Sequence, residues 1–232
     1  MRMKFLKRLF LLILVAGIVF FGYQIRLGYE KYEDALINLP LDEAVANLRG
    51  KEHYTVYGDI PEIYFQAVVA VEDRRFYKHK GFDFIGALRA IYSDIRAKEM
   101  LEGGSTISQQ LAKNMYFPKD YTLRRKIAEI FMARKIEREY EKEDILEFYA
   151  NIIYFGSGYY CIYDASEGYF GKKPADMTND ECTLLAGVPN APSVYSPKVN
   201  PELARNRQEK VIKSMIECGY ITSEQKITNK TY

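Results

Sequence analysis

Seventeen consecutive residues, Leu9 to Ile25, carry no charged side chain, and four cations, Arg2, Lys4, Lys7 and Arg8, stand just before them. A run that is apolar on every face has no polar side to turn to water, so it does not suit an ordinary surface helix. About 17–25 such residues cross a bilayer as a helix. Lys7, Arg8 and Arg26 lengthen the effective span by stretching toward the headgroups. The cationic cluster predicts that residues 1–8 stay in the cytoplasm, residues 9–25 form a transmembrane anchor, and the remainder lies outside the cell. A cleaved signal peptide needs small residues at a cleavage site, whereas Phe20, Phe21 and Tyr23 occupy that region. The expectation is therefore an uncleaved signal-anchor in the cell membrane.

Beyond the anchor, residues 26–54 read as a short helical stalk and connector, interrupted by Pro40 and Gly50. From Pro61 onward apolar residues recur at helical spacing. The stripes are Phe65, Val68 and Val69; Phe84, Leu88, Ile91, Tyr92 and Ile95; Leu123, Ile127, Ile130, Phe131 and Ile136; Leu146, Tyr149, Ile152 and Ile153; and Cys182 to Val188. No segment alternates at period two for long enough to be a strand. The fold class expected is mainly α, with one domain over residues 55–220 and a polar tail at 221–232.

Charge excludes one broad class. Of the 33 basic residues four sit in the N-terminal cluster, leaving 33 − 4 = 29 against 31 acids, so the body is near neutral and lacks a nucleic-acid footprint. Cys161, Cys182 and Cys218 have no CxxC spacing, and with only two histidines no metal site is expected. Buried free thiols are the expected state.

Four stretches could carry chemistry. In the first, Glu72 and Asp73 end an apolar helical run, with His79, Gly81 and Asp83 close behind. A carboxylate there can acquire the raised pKa that a general base requires, or can simply belong to a capped helix end. In the second, Gly103 and Gly104 precede Ser105 and Thr106 at a helix start, followed by Gln109, Gln110, Lys113 and Asn114. A helix N-terminus binds phosphate, though a Ser-capped turn looks the same in sequence. In the third, Arg124, Arg125 and Lys126 precede Glu129, with Arg125 and Glu129 at i, i+4. The fourth is an amphipathic helix running from Ile145 through Tyr149 and Asn151 to Tyr154 and Gly156.

In this order the four stretches, with a fifth running Leu184-Leu-Ala-Gly-x-Pro189 to Tyr195-x-Pro197 and a later Arg207, resemble the glycosyltransferase family 51 domain of peptidoglycan polymerases. That domain also forms the first half of class A penicillin-binding proteins. The resemblance implies a bilobal, lysozyme-like helical domain that polymerises lipid II into glycan strands, with inversion at the anomeric carbon and release of undecaprenyl diphosphate. It implies Glu72 as catalytic base and Glu129 as the second essential acid. Ser105, Thr106, Gln109, Gln110, Lys113, Asn114, Arg125 and Asn151 would bind the diphosphate and sugars. Asp73, His79, Lys119 and Tyr154 are further candidates. The segment from Phe82 to Leu101 would dip into the bilayer.

No protein cage for a metal is visible, so no tightly bound cofactor is expected; a divalent cation, Mg or Mn, could accompany the substrate diphosphate. Expected partners are lipid II, the growing glycan chain, the bilayer and other cell-wall synthesis proteins. The only Ser-x-x-Lys is Ser223 to Lys226, without the other transpeptidase motifs, which points to a monofunctional polymerase. A non-catalytic membrane scaffold of the same fold and a lytic glycosidase are the alternatives.

Overall fold

The computed structural model describes residues 2–97, 103–118, 120 and 122–224, with backbone only for Arg2 and residues 91–97. Among these residues there is no strand. The first helix, α1, runs unbroken from Arg2 to Asn38. Anchor and stalk are thus one rod of 37 residues, about 55 Å long. No proline or glycine pair interrupts it before Pro40, so nothing in the sequence separates stalk from span. The stretch from Met3 to Asn38 has a mean hydropathy of 2.2 in its most apolar window and is long enough to cross a membrane.

Helix α2 (Leu41–Arg49) starts after Pro40, with Asp42 and Glu43 in its first turn. Acids there suit the positive end of the helix dipole. Its buried face is Leu41, Ala44, Val45 and Leu48, a 3–4 spacing that joins the main core. Helix α3 (Glu62–Glu72) buries Tyr64, Phe65 and every residue from Ala67 to Ala70. Apolar on most sides, it can only be central. It packs against α9 (Asn179–Gly187) and α10 (Pro201–Glu217).

A second group forms around α5 (Ile107–Tyr116), which contacts both α6 (Leu123–Glu139) and α7 (Lys142–Ala150). The outer half of α1 lies along α6. Gly28 permits this approach, since a β-carbon there would stand 2.5 Å from Ile127 Cγ2. In chain order, α4 (Phe84–Ala97) follows α3 and α8 (Ile162–Phe170) follows α7.

The apolar residues of α6 are divided between two neighbours. On α6 the core-facing residues are Ala128, Glu129, Met132, Ala133 and Ile136. Ile127 and Phe131 face α1 instead, because this helix is covered on two sides. On α4, Phe84, Ile85 and Leu88 are exposed, as apolar side chains expected to face a bilayer would be. Asp83 caps that helix, accepting the Ile85 N–H at 3.1 Å. Burial alone would raise its pKa, but the Gly86 N–H and the Arg75 guanidinium outweigh it and hold the carboxyl below its usual range.

Candidate active site

Glu72 is the last residue of α3, where the buried helix reaches the edge of its group. Its side chain is only 10% exposed. Oε2 accepts a hydrogen bond from Gln110 Nε2 at 2.8 Å. Oε1 accepts no hydrogen bond among the described residues; its nearest cation is Arg207 of α10, whose Nη2 lies 3.7 Å away. The Tyr149 hydroxyl donates to the Gln110 Oε1 at 3.5 Å, which fixes the amide orientation that Glu72 needs. Burial pushes the Glu72 carboxyl above its ordinary range; Gln110 and Arg207 oppose the shift, and neighbouring Asp73 adds to it.

Asp73 points elsewhere. Its Oδ2 receives His79 Nε2 at 2.8 Å and the Ile107 N–H at 3.1 Å, tying the first turn of α5 to the end of α3. His79 also stands 3.5 Å from Glu137, which pairs with Lys142 at 2.6 Å. This buried polar chain aligns two helix ends. Asp73 and His79, candidates for chemistry in the sequence, are placed here as scaffold.

The loop before α5 is built by a capping box. Thr106 Oγ1 accepts the Gln109 N–H, and the Gln109 Oε1 accepts the Thr106 N–H. Thr106 Oγ1 donates in turn to the Gly81 carbonyl at 2.8 Å. Both side chains are buried. The structure thus uses Thr106 and Gln109 to hold the loop and leaves Gly103, Gly104 and Ser105 to form its surface. Those three line a small pocket together with Glu72.

Ser105 leads to the second acid. Lys126 Nζ donates to Ser105 Oγ at 2.6 Å and stands 3.2 Å from Glu129 Oε2. Arg125 Nη1 is 2.9 Å from Glu129 Oε1. Glu129 is buried, and each of its oxygens faces a cation. Ser105 thus lines the pocket at Glu72 and also takes the hydrogen bond of Lys126, the cation beside Glu129. Lys126 was legible only as one of three neighbouring cations. Its i, i+3 spacing to Glu129 was the signal that singles it out. Arg207 stood in a recognised motif, yet nothing in the sequence aimed it at Glu72.

The other candidates divide. Lys113 makes no ion pair or hydrogen bond among the described residues and lies one turn beyond Gln110 on α5. Asn114 turns its amide back to the Gln110 carbonyl at 2.9 Å. Asn151 is a clamp: its Oδ1 takes the Thr55 N–H, and its Nδ2 serves the Thr55 and Glu147 carbonyls, each at 2.8 Å. Buried, Asn151 binds the connector to α7. Tyr154 stacks on Tyr160 with ring centroids 4.6 Å apart. Lys119 lies outside the described residues.

The donor set does not fit a protein-held divalent cation. Glu129 has both oxygens on cations, the Asp83 carboxylate serves Arg75 and the Ile85 N–H, and Asp73 Oδ2 is taken by His79 and the Ile107 N–H, so most carboxylate oxygens here are already engaged. Hard cations need several oxygen ligands. Chemically, the Glu72 carboxylate is a group that can take a proton, and Arg125 and Lys126 are cations that can meet negative charge.

The transglycosylase family model matches residues 42–216. Penicillin-binding protein 1F of Bacillus subtilis is 38% identical over 237 residues, 96% of this chain and 33% of that protein. Penicillin-binding protein 1A of Aquifex aeolicus is 46% identical over 175 residues, 75% of this chain and 24% of that protein. A Cupriavidus necator protein described as a transglycosylase is 42% identical over 184 residues, 79% of each chain. The chain thus spans about a third and a quarter of the two penicillin-binding proteins it matches.

Proposed function

The chain belongs to the transglycosylase family, and from that premise we propose that it polymerises lipid II into peptidoglycan strands at the outer face of a bacterial membrane. The observation that carries this reading is the uneven engagement of Glu72, with one oxygen held by Gln110 and the other accepting no hydrogen bond from the described residues. Oε1 takes the proton of the acceptor sugar's 4-hydroxyl. The oxygen so activated attacks the anomeric carbon of the growing chain from the face opposite the diphosphate, and the anomeric bond to the diphosphate breaks with inversion. This is inverting displacement with a sugar hydroxyl in place of water. The leaving diphosphate carries off the bonding electrons, and its added charge is met by Lys126, Arg125 and Lys113, with the Ser105 hydroxyl beside it. Glu129 keeps Arg125 and Lys126 in place. A magnesium or manganese ion would ride on the diphosphate, since the protein supplies no cage for it.

Membrane attachment supports the same reading, because a lipid-linked substrate must be met at the bilayer. The apolar half of α1 crosses it, with the cationic N-terminus inside. Exposed Phe84, Ile85 and Leu88 at the start of α4 give the domain a second apolar contact. The test is incubation of the full chain with labelled lipid II. Polymer that disappears with moenomycin supports the assignment. Shortened fragments of purified cell wall would instead make the chain a hydrolase, and no turnover would make it a scaffold.

The raised Glu72 pKa sets a pH dependence. The base must be ionised, so polymerisation falls as pH drops through a midpoint above 4.5, the ordinary value. Arg207 lowers that midpoint by its charge, so Arg207→Gln moves the acid limb of the rate profile to higher pH. An unmoved limb would detach Arg207 from the base.

A further inference from the structure

Away from Glu72, a cavity of about 610 Å³ opens between α1 and α6. That volume suits a small ligand or headgroup. Its cationic rim is Lys80, Arg134, Lys135 and Arg138; its aromatic wall is Tyr29, Tyr32 and Phe131. The three rings form a packed cluster, with centroids 5.2–5.9 Å apart. Lys135 is spent on Glu139. The one acid in the lining, Glu137, is neutralised by Lys142. Lys80, Arg134 and Arg138 have no anionic partner among the described residues. Three uncompensated cations around one cavity call for an anion.

Position narrows the anion's source. Helices α1 and α6 leave the bilayer side by side: Gln24 meets Arg124, Gly28 meets Ile127, and Tyr29 meets Phe131. Tyr29 and Tyr32 stand about 6 and 10 Å along the axis beyond Ile25, the end of the uncharged run. The headgroup layer is roughly 5–7 Å deep on each side. Tyr29 therefore sits at headgroup level, where Tyr is favoured, with Tyr32 just beyond it; Arg134 follows Phe131 by one turn of α6, and helical side chains lean toward the helix N-terminus, which here is the bilayer side. The geometry points to a binding site for the phosphate headgroup of an anionic phospholipid, which seats the catalytic domain on the outer leaflet. It rests on α1 spanning the membrane, as proposed above, and is independent of the reaction at Glu72.

The test uses the full chain reconstituted in vesicles of phosphatidylcholine alone or of phosphatidylcholine mixed with phosphatidylglycerol. Flotation with the neutral vesicles checks the anchor; a chain that does not float overturns the anchor and this site together. Phosphatidylglycerol is expected to raise the melting temperature of the floating wild type by roughly 5 °C. The triple variant Lys80→Gln, Arg134→Gln, Arg138→Gln is expected to lose that rise while melting like wild type in neutral vesicles, because these cations hold no anionic partner among the described residues. Lys4→Gln with Lys7→Gln, at the other membrane face, is expected to keep it. An undiminished rise in the triple variant overturns the site. So does an equal rise produced by inorganic phosphate in neutral vesicles, which would assign the cavity to soluble anions.

Discussion

Glu72→Gln is expected to lower lipid II polymerisation by roughly 10²–10⁴-fold, the usual contribution of a positioned general base, without weakening the fold. The amide keeps the shape of the carboxylate and still reaches Gln110, but it cannot accept a proton. Stability should move the opposite way from activity. The Glu72 pKa is raised in the folded state, chiefly by burial, so its favourable contribution is complete below the unfolded value near 4.5 and is lost as pH rises through the folded value. At neutral pH the ionised carboxylate therefore strains the fold, and the neutral amide relieves it. The melting temperature of the variant should equal or exceed that of the wild type. Polymer made at the wild-type rate would remove Glu72 from the chemistry; lost activity with a lowered melting temperature would mean the side chain is structural. Such opposition of stability and activity is expected where a group is held ready for reaction.

Much of this was legible before any coordinates. The helical periodicity of residues 61–72 marked α3, and the all-round apolar character of Leu9 to Ile25 marked a helix long and apolar enough to cross a membrane. Motif spacing marked the ends of α3 and α5 as chemically dense. What spacing could not give is direction. Asp73 follows Glu72 directly and lines the same pocket, yet Glu72 takes Gln110 while Asp73 joins a buried network with His79. Gln109 and Gln110 are adjacent as well, and helical geometry sends one to the cap and the other to Glu72. Asn151 looked like a polar group facing sugar, but its partner is Thr55, 96 residues earlier. Pairings of that range are decided by how helices stack, and no local window contains them. The undivided α1 escaped for another reason: a change from apolar to charged sequence marks a change of surroundings, which a helix can cross without bending.

The coupling between that stacking and the site can be probed at Gly81, where substitution is expected to cost about 2–5 kcal/mol. Gly81 has φ +89°, a conformation side chains resist, and a β-carbon there would meet Arg134 N at 2.7 Å and the Ala133 carbonyl at 2.8 Å. The obstacle is the α6 backbone, which has no rotamer to yield. Left-handed strain contributes roughly 1–2 kcal/mol and forced overpacking roughly 1–3. Gly81→Ala should therefore lower the melting temperature by on the order of 10 °C. Any relief must come from moving the loop away from α6. The Gly81 carbonyl is the acceptor for Thr106 Oγ1, so the loop would carry the α5 cap with it and, through Ser105, the contact to Lys126. Activity should fall even at temperatures where the variant remains folded, with the loss concentrated in turnover, since the catalytic groups would be misplaced by a fraction of an ångström. Gly58→Ala is the matched control: nothing lies within 4 Å of its β-carbon, and its effect should stay within about 0.5 kcal/mol. Denaturant melts and lipid II turnover on the two variants separate the outcomes. Equal stability would refute the close approach of the loop to α6. A destabilised variant with wild-type turnover below its melting range would show that the scaffold and the reacting groups are not mechanically linked.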